Sequence, residues 1–499
     1  MNLLLFIFIP LLSAIGVLVS NGLKQVRMVA FIGSAIQLLV AFYLLNQYQV
    51  AKDLDGTALM YFEQTFAWFP SLGIQFHIGV DGISIAMMLL TALVVVAGVL
   101  VSFSMETLHK EFFFLLMLLS LGAYGFFISL DIFTMFFFLE VAVIPKFLLI
   151  GIWGSGQKER SAMKLALMLM GGSALIFVGL TGVYYFTPVL ADVRTFDLMS
   201  IAKRGIPMDA QLFFFPFLFV GFGVFTALFP FHTWVPDGHS SAPTAASMFL
   251  AGISMKLGGY GCLRVATFLM PEAAQVYAPW IIALSTIAII YGAFATMMQT
   301  DLKYINAYSS VSHCGFVLLG IGMLTKTSIT GAVMQMVSHG LMTALFFAAI
   351  GMMYSRTHTR LVSQLGGLLK VMPFISSIFI VAGLCSLGLP GFSGFVSEMT
   401  IFVGAWQNPN MWYRIATVLS CASIVVTAVY ILRAAGSSVM GEIKDSHFTS
   451  LSDAIWNEKL AAVVLLSGIV IIGIAPFLLT DLLSPGADVI MGKLFNSIK

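Results

Sequence analysis

Apolar residues do not alternate along this chain, nor do they recur every third or fourth position. They come in blocks of about twenty, the length that spans the hydrocarbon core of a bilayer as a helix. Such blocks fall near 2–20, 28–46, 82–104, 111–129, 131–153, 163–187, 211–233, 242–267, 276–299, 303–324, 328–354, 372–405, 411–435 and 459–481. The pattern predicts an all-α polytopic membrane protein with about 14 transmembrane helices. Between the second and third blocks, residues 57–80 carry an alternating, aromatic stretch (YFEQTFAWF, IQFHIGV), which predicts a small β-hairpin on one face.

Two blocks are interrupted from within. In the stretch PFHTWVPDGHSSAPTAASMFLAGISMKLGGYG (230–261), Pro230 and Pro236 break one helix, because proline lacks the N–H and clashes with the preceding turn. Asp237, His239, Ser240 and Ser241 sit beside that break, and Pro243 stands near the start of the next helix. The block 372–405 is too long for one straight crossing and contains LGLPGFSG at 387–394. Broken helices occur at membrane depth only where protein or a water-filled cavity surrounds them. The breaks recur about 160 residues apart, each late in a set of five helices, so helices 7 and 12 are corresponding members of two repeats. An odd number of helices per unit makes the repeats inverted, and paired interruptions point to a transport pathway. The division is 1–110 (helices 1–3), 111–267 (first repeat, helices 4–8), 268–437 (second repeat, helices 9–13) and 438–499 (helix 14 and a tail).

Composition agrees: 60% of residues are hydrophobic and 9% charged, with a mean hydropathy of +1.00, where soluble domains carry about 25% charged residues. A net charge of +2 with no basic arm argues against nucleic-acid binding. Cys262, Cys314, Cys385 and Cys421 show no paired spacing and read as small buried hydrophobes. No haem, iron–sulfur or flavin motif is present, so any electrons travel elsewhere. The apolar N-terminus lacks the basic segment of a signal peptide and reads as a retained first helix. With both termini outside, the cytoplasmic loops receive Lys24, Arg27, Lys158, Arg160, Lys164, Lys303, Arg356, Arg360, Lys370, Arg433, Lys444 and Lys459. One outer loop, with Asp192, Arg194, Asp197, Lys203, Arg204 and Asp209, is balanced.

Against this background a few ionisable residues lie inside apolar blocks: Glu140, Lys146, Lys256, His339 and Glu398. A lysine at bilayer depth costs about 2.5–3.5 kcal/mol on insertion scales, and such groups ordinarily face the bundle interior or a wet path. Glu140 and Lys146 are six residues apart, so their side chains point roughly 120° apart on an ideal helix and each looks for a partner on another helix. Lys146 is also near a helix end, where it can snorkel. His339 is placed to relay a proton near neutral pH, or to bond a neighbouring helix. His232 and His239 either serve backbone groups freed by the break or join the relay; His358, in YSRTHTR, reads as loop. Asp81 and Asp131 stand at helix starts, where capping is the default.

The segments GVDGIS (79–84), FLEVAVIP (138–145), residues 230–261, DLKYINAYSSVSHCG (301–315), the SHG helix (338–340) and LGLPGFSGFVSE (387–398) together resemble the antiporter-like membrane subunits of respiratory complex I (NADH-quinone oxidoreductase), most closely the subunit M type. The resemblance covers about residues 80–430. It implies two inverted five-helix repeats and a place in a bacterial inner membrane beside neighbouring subunits L and N. It implies that this chain binds no cofactor, with the electron donor (NADH or another), FMN, iron–sulfur clusters and quinone held elsewhere. It assigns the fifth-helix acid to Glu140, the eighth-helix lysine to Lys256 and the twelfth-helix residue to Glu398, and it matches His232, His339 and His358 to family histidines. One departure stands out: where the family carries a seventh-helix lysine, this chain has Phe225, while Lys146 stands on helix five. The expectation is that the cation has moved from helix seven to helix five; the alternative is a first half-channel that is weakened or uncoupled.

The implied activity is proton translocation by one subunit of a translocase: a proton passes from Lys256 through His339 toward Glu398, driven by quinone reduction in other subunits. Two rivals remain at this stage. One is a subunit of a multi-subunit Na⁺/H⁺ antiporter or membrane-bound hydrogenase of the same fold. The other is a solute transporter with broken helices, which the scarcity of polar groups near the breaks disfavours.

Overall fold

A computed structural model describes residues 1–56, 58–189 and 194–496; Asp192, counted above with one loop, lies outside the described residues. Fourteen crossings are present among them. Ten helices are individually long and apolar enough to cross a membrane: α2 (Leu23–Leu54), α3 (Gly82–Val101, continued by one tight turn), α4 (His109–Ile128), α5 (Ile132–Trp153), α6 (Lys158–Phe186), α7a (Met208–Thr226), α9 (Pro271–Met297), α11 (Lys326–Thr357), α13 (Met411–Ser438) and α14 (Trp456–Ile474). The shorter α1 (Leu5–Val19) and the more polar α10 (Leu302–Gly322) supply two more. The last two are interrupted. One is α8, built from Thr244–Phe249, Leu250–Ser254, Met255–Gly261 and Cys262–Thr267, of which the second and fourth pieces are π-helical. The other is α12, split into α12a (Pro373–Ser386) and α12b (Ser393–Trp406). Helix seven is completed by α7b (Trp234–Ser241).

Helix starts follow local chemistry. Asp81, Asp131, Asp197 and Asp301 each accept backbone amides of the turn they open, and Thr325 forms a reciprocal capping box with Ser328. Pro271 and Pro373 occupy first-turn positions, where a missing N–H costs nothing. Helices pack in the same cyclic order in both repeats: α4 on α5, α5 on α6, α6 on α7a and α7a on α8, then α9 on α10, α10 on α11, α11 on α12 and α12 on α13. The first and last helices of each unit also touch. α11 is buried continuously from Ser328 to Met353. Leu39, Leu167, Trp280 and Val425 point outward, as a lipid-facing belt requires.

The predicted hairpin is present as β1 (Tyr61–Phe69) paired antiparallel with β2 (Ile74–Val80). It marks one face of the bundle, which we call the hairpin face. The final crossing differs from the expected 459–481. α14 ends at Ile474, and a separate helix, α15 (Pro476–Asn496), follows. Pro476 cannot continue the ladder of α14, and Asp481, Asp488 and Lys493 belong at a surface. α15 lies along the hairpin face: Lys326 pairs with Asp488 at 2.6 Å, and Lys52 donates to the Asp481 carbonyl at 3.1 Å. The tail is therefore a strap over the starts of α3 and α11 on the hairpin face. One loop charge is also reassigned. Lys303 is buried, and its ammonium donates to the Ala242 carbonyl at the end of α7b, 2.7 Å away.

The hairpin is held down by His77. Its Nδ1 lies 2.6 Å from Asp197, on the loop before the surface helix Leu198–Arg204, and its Nε2 lies 3.0 Å from Glu63. Burial alone would push the imidazole down, but Asp197 and Glu63 outweigh it, and the ring holds its proton above the ordinary range. Burial would raise the Asp197 carboxyl, but His77 and Ser200 hold it below the ordinary range. The His77 contribution is complete below about pH 6.5 and is lost as pH rises through the raised value; the Asp197 contribution is present above about pH 4 and is lost on acidification. Hydrogen exchange of amides 61–80, corrected for its intrinsic pH dependence, should therefore be several-fold faster at pH 9 than at pH 6. His77→Asn should remove that difference by exchanging fast at both.

Candidate functional site

Helix α5 carries the first two charges. Pro145 removes one rung of its hydrogen-bond ladder, just before Lys146. Glu140 is half-buried and accepts a hydrogen bond from the Ser173 hydroxyl on α6. Lys146 does not snorkel: it is 1% exposed, and its ammonium has no hydrogen-bond partner among the described residues. The ammonium lies over the ring of Phe225, 5.9 Å from the centroid. Phe225 is the residue at the position where the resemblance expects a lysine. The cation and the expected cation site are thus in contact, approached from the facing wall.

Helix seven ends its first half at Ala227, whose φ of 70° turns the chain out of the helix. Trp234 then donates its indole N–H to the freed carbonyl of Val224 at 2.9 Å. His232 stacks on Phe229 and meets the Tyr291 ring edge to face, 4.9 Å between centroids. His239 is wholly buried, stacked 5.2 Å from Phe347, with neither ring nitrogen bonded among the described residues. The carbonyl end of α7b meets Lys303, a cation where the helix dipole favours one. On the face opposite the hairpin a cavity of about 330 Å³ reaches this break, lined by Arg160, Ser161, Asp237, Ser240, Tyr304 and Arg360.

Lys256 sits in α8 between the two π turns, which are frequent at functional sites. Its ammonium donates to the Ala251 carbonyl and lies 2.8 Å from Nδ1 of His339 on α11. Gly258, two residues on, lets α8 touch α7a: a Cβ there would stand 2.4 Å from the Thr226 hydroxyl oxygen. The His339 ring is 5.3 Å from that of His313 on α10. His313 in turn places Nδ1 3.2 Å from Glu398 on α12b, and its Nε2 meets the Ser386 hydroxyl at 3.0 Å. Four ionisable groups from four helices therefore form a line: Lys256, His339, His313, Glu398. All are buried.

Of the residues singled out in the sequence, Lys256, His339 and Glu398 are brought together. Glu140 and Lys146 form a separate locus beside the helix-seven break. His232 stands apart from both. His358 is exposed at the end of α11 in the left-handed region, φ 54°, so the structure leaves it out of the buried line. His313 was missed as a site residue, although it lies within a quoted motif; its signal was an imidazole in an otherwise apolar half-helix. Asp81 caps α3 as expected, and it also pairs with the buried Arg264 at the far end of α8. Among the described residues no cluster of three or more His, Cys, Asp or Glu is arranged to hold a metal ion.

Comparison with known proteins agrees with this architecture. Residues 129–427 match the family described as NADH:quinone oxidoreductase/Mrp antiporter, TM. The chain is 37% identical over 430 residues to NAD(P)H-quinone oxidoreductase chain 4-2 of Synechocystis sp., covering 85% of this chain and 74% of the relative. It is 33% identical over 497 residues to NADH-quinone oxidoreductase subunit M of Rickettsia conorii, covering 98% of each. In structure it matches a chain of respiratory complex I from Thermus thermophilus with bound NADH (TM-score 0.88, 24% identity, 99% of both chains). It also matches a chain of the Mrp complex from Dietzia sp. (TM-score 0.84, 18% identity, 99% of both). At these identities the structural matches establish the fold.

The Glu398 carboxylate rests against Gly388, whose φ is 75°, and a Cβ at Gly388 would stand 3.0 Å from Oε2 of Glu398. Gly388→Ala should therefore destabilise the detergent-solubilised protein by about 1–2 kcal/mol, from left-handed strain alone. Gly436→Ala, within α13 and with open space at its Cβ, should not lower the thermal midpoint and should raise it slightly, because alanine favours the helix.

Proposed function

The chain belongs to the NADH:quinone oxidoreductase/Mrp antiporter transmembrane family, and from that premise we propose that it is a proton-translocating subunit of the membrane arm of an NADH-quinone oxidoreductase. It sits in a bacterial inner membrane with the hairpin face and both termini outside, between antiporter-like neighbours of the L and N types. It binds no cofactor itself. NADH or another donor, FMN, iron–sulfur clusters and quinone act in other subunits, and their reaction supplies the energy.

The observation that carries this reading is the unbroken line from Lys256 to Glu398 at membrane depth. His339 Nδ1 faces an ammonium, so it accepts there, which leaves the proton of the neutral ring on Nε2. That nitrogen has no protein partner among the described residues. A proton leaving Lys256 passes to His339 and then to His313, whose ring centroid lies 5.3 Å away. From His313 it reaches Glu398 at 3.2 Å, which releases it toward the outside. Entry is from the polar cavity beside Asp237 and Ser240, which opens on the face opposite the hairpin. Moving or compensating a nearby charge changes the proton affinity of Lys256; each tenfold change corresponds to about 1.4 kcal/mol, so one neighbouring charge is enough to load or unload it.

In proteoliposomes of the purified native complex, Lys256→Ala and Glu398→Gln should each lower quinone-coupled proton uptake at least tenfold, with the complex still assembled. Lys52→Ala, on the hairpin surface, should leave it unchanged. Uptake that is unaffected by both buried substitutions removes the line from the path. Uptake that requires Na⁺ in the medium transfers the reading to the antiporter type.

A further inference from the structure

On the face opposite the hairpin, several cations are answered by carboxylates: Lys164 by Asp237, Arg356 by Glu458 and Arg360 by Asp301. Arg433 and Lys444 are held differently. Among the described residues the Arg433 guanidinium donates only to the carbonyls of Met297 and Gln299, and the Lys444 ammonium only to the carbonyl of Ser363. Both side chains are exposed, and both line one cleft of about 320 Å³. The end of α9, the start of α10, the end of α13 and the segment after α11 form its walls. Among the described residues no acid lines it. Asp445, next to Lys444 in the chain, instead accepts the amide of His447.

Two apolar stripes lead to this cleft from the membrane. On α13, Val425, Val429 and Leu432 are exposed at the spacing of one helix face, and Arg433 stands one turn beyond Val429. On α9, Tyr291 and Phe294 are exposed in the same way, and the stripe ends at the exposed Met298, which also lines the cleft. The two helices pack against each other, and the bond from Arg433 to the Met297 carbonyl ties their ends. Outward apolar stripes on membrane helices lie against acyl chains, so cations at the end of such stripes stand at headgroup depth. Basic pockets between transmembrane helices at that depth suit anionic headgroups.

We propose that this cleft binds an anionic phospholipid of the leaflet opposite the hairpin. Arg433 and Lys444 hold its phosphate. The guanidinium spends Nη2 on the two carbonyls and leaves Nε and Nη1 to donate, and the ammonium has donors beyond the one given to Ser363. The acyl chains lie along the stripes of α13 and α9. A zwitterionic lipid brings a cation of its own, which the two basic residues repel, so the cleft selects a net negative headgroup. A soluble phosphate has no chains to bury, and its charge is screened by salt. The bound lipid spans the seam between the first and last helices of the second repeat and so closes that unit at its edge. The cleft is separate from the Lys256 line and binds lipid whichever ion the subunit moves.

Native mass spectrometry of the full-length chain in neutral detergent, titrated with phosphatidylglycerol or phosphatidylcholine, counts the lipid it retains. The parent should hold phosphatidylglycerol at concentrations about tenfold below those needed for phosphatidylcholine. Arg433→Gln/Lys444→Gln should abolish that preference. Lys24→Gln/Lys110→Gln, which removes the same charge elsewhere on the same face, should keep it. Millimolar inorganic phosphate should leave phosphatidylglycerol bound. If the double variant does not fold, Lys444→Gln, on an exposed loop, is read in its place and should lower the preference about threefold. Equal retention of the two lipids by the parent overturns the proposal, as does an unchanged preference in the Arg433 and Lys444 variants or an equal loss in the Lys24 and Lys110 variant. Displacement by inorganic phosphate overturns it in favour of a soluble anion. A native complex that fails to assemble with Arg433→Gln/Lys444→Gln, while the chain still prefers phosphatidylglycerol, overturns it in favour of a neighbouring subunit.

Discussion

In hydrocarbon, a polar group without a partner has no water to fall back on, and the whole structure is arranged around that constraint. A backbone N–H or C=O left open at bilayer depth costs several kcal/mol, and a charge costs more. Yet this chain breaks two helices at membrane depth and buries Lys146, Lys256, Lys303, Arg264, His239, His313, His339 and Glu398. Most of these exceptions are contained by a specific arrangement, while Lys146 and His239 have no hydrogen-bond partner among the described residues. The carbonyl of Val224 at the first break takes the Trp234 indole, and the carbonyl of Ala242 takes Lys303. At the second break, Ser386 and Ser393 meet His313 and Ser338. The π turns around Lys256 widen the helix locally, and the Ala251 carbonyl, within one of them, takes the lysine ammonium.

The same constraint explains why the polar line runs where it does. α11 is buried from Ser328 to Met353, so a histidine in that stretch meets protein wherever it points. His339 faces Lys256 from the first repeat and His313 from the second, and so sits where the two units pack against each other. The packing order of α4–α8 repeats in α9–α13, which places the two breaks in equivalent positions. A charge chain across the bundle axis is the natural consequence: the interior of each unit is shielded from lipid, and the contact between units is where partners from both are available.

The surface elements act as clamps on this interior. His77 ties the hairpin to the loop before Leu198–Arg204, and α15 lies over the start of α3, where Asp81 meets Arg264. A Cβ on Gly486 would stand 2.8 Å from an Asp81 oxygen, and one on Gly82 would stand 1.8 Å from the Leu482 carbonyl oxygen. The strap is therefore in close backbone contact with the capped end of α3. It covers a buried ion pair that would otherwise face water, which keeps that pair in a low-dielectric setting.

What could be read from the chain alone was whatever is local. Apolar block length counts crossings, because a bilayer demands it of each helix separately. The Gly/Pro breaks announce themselves for the same reason, and so do Glu140, Lys256 and Glu398, which stand out against their own neighbours. The final block was misread because FLLTDLL stays apolar past Pro476, so composition hid a turn that backbone geometry makes. Lys303 was misread because its partner, the end of α7b, lies 61 residues away. His313 was overlooked, and His358 proposed, because the value of a histidine depends on what faces it. Lys256 and His339 are 83 residues apart, and only helix packing brings them to 2.8 Å. The sequence by itself determined which charges enter the membrane and where the helices give way. The tertiary structure alone decided which of those charges touch, because electrostatic and hydrogen-bond partners across a bundle are chosen by which helix faces meet, and no spacing along one chain records that.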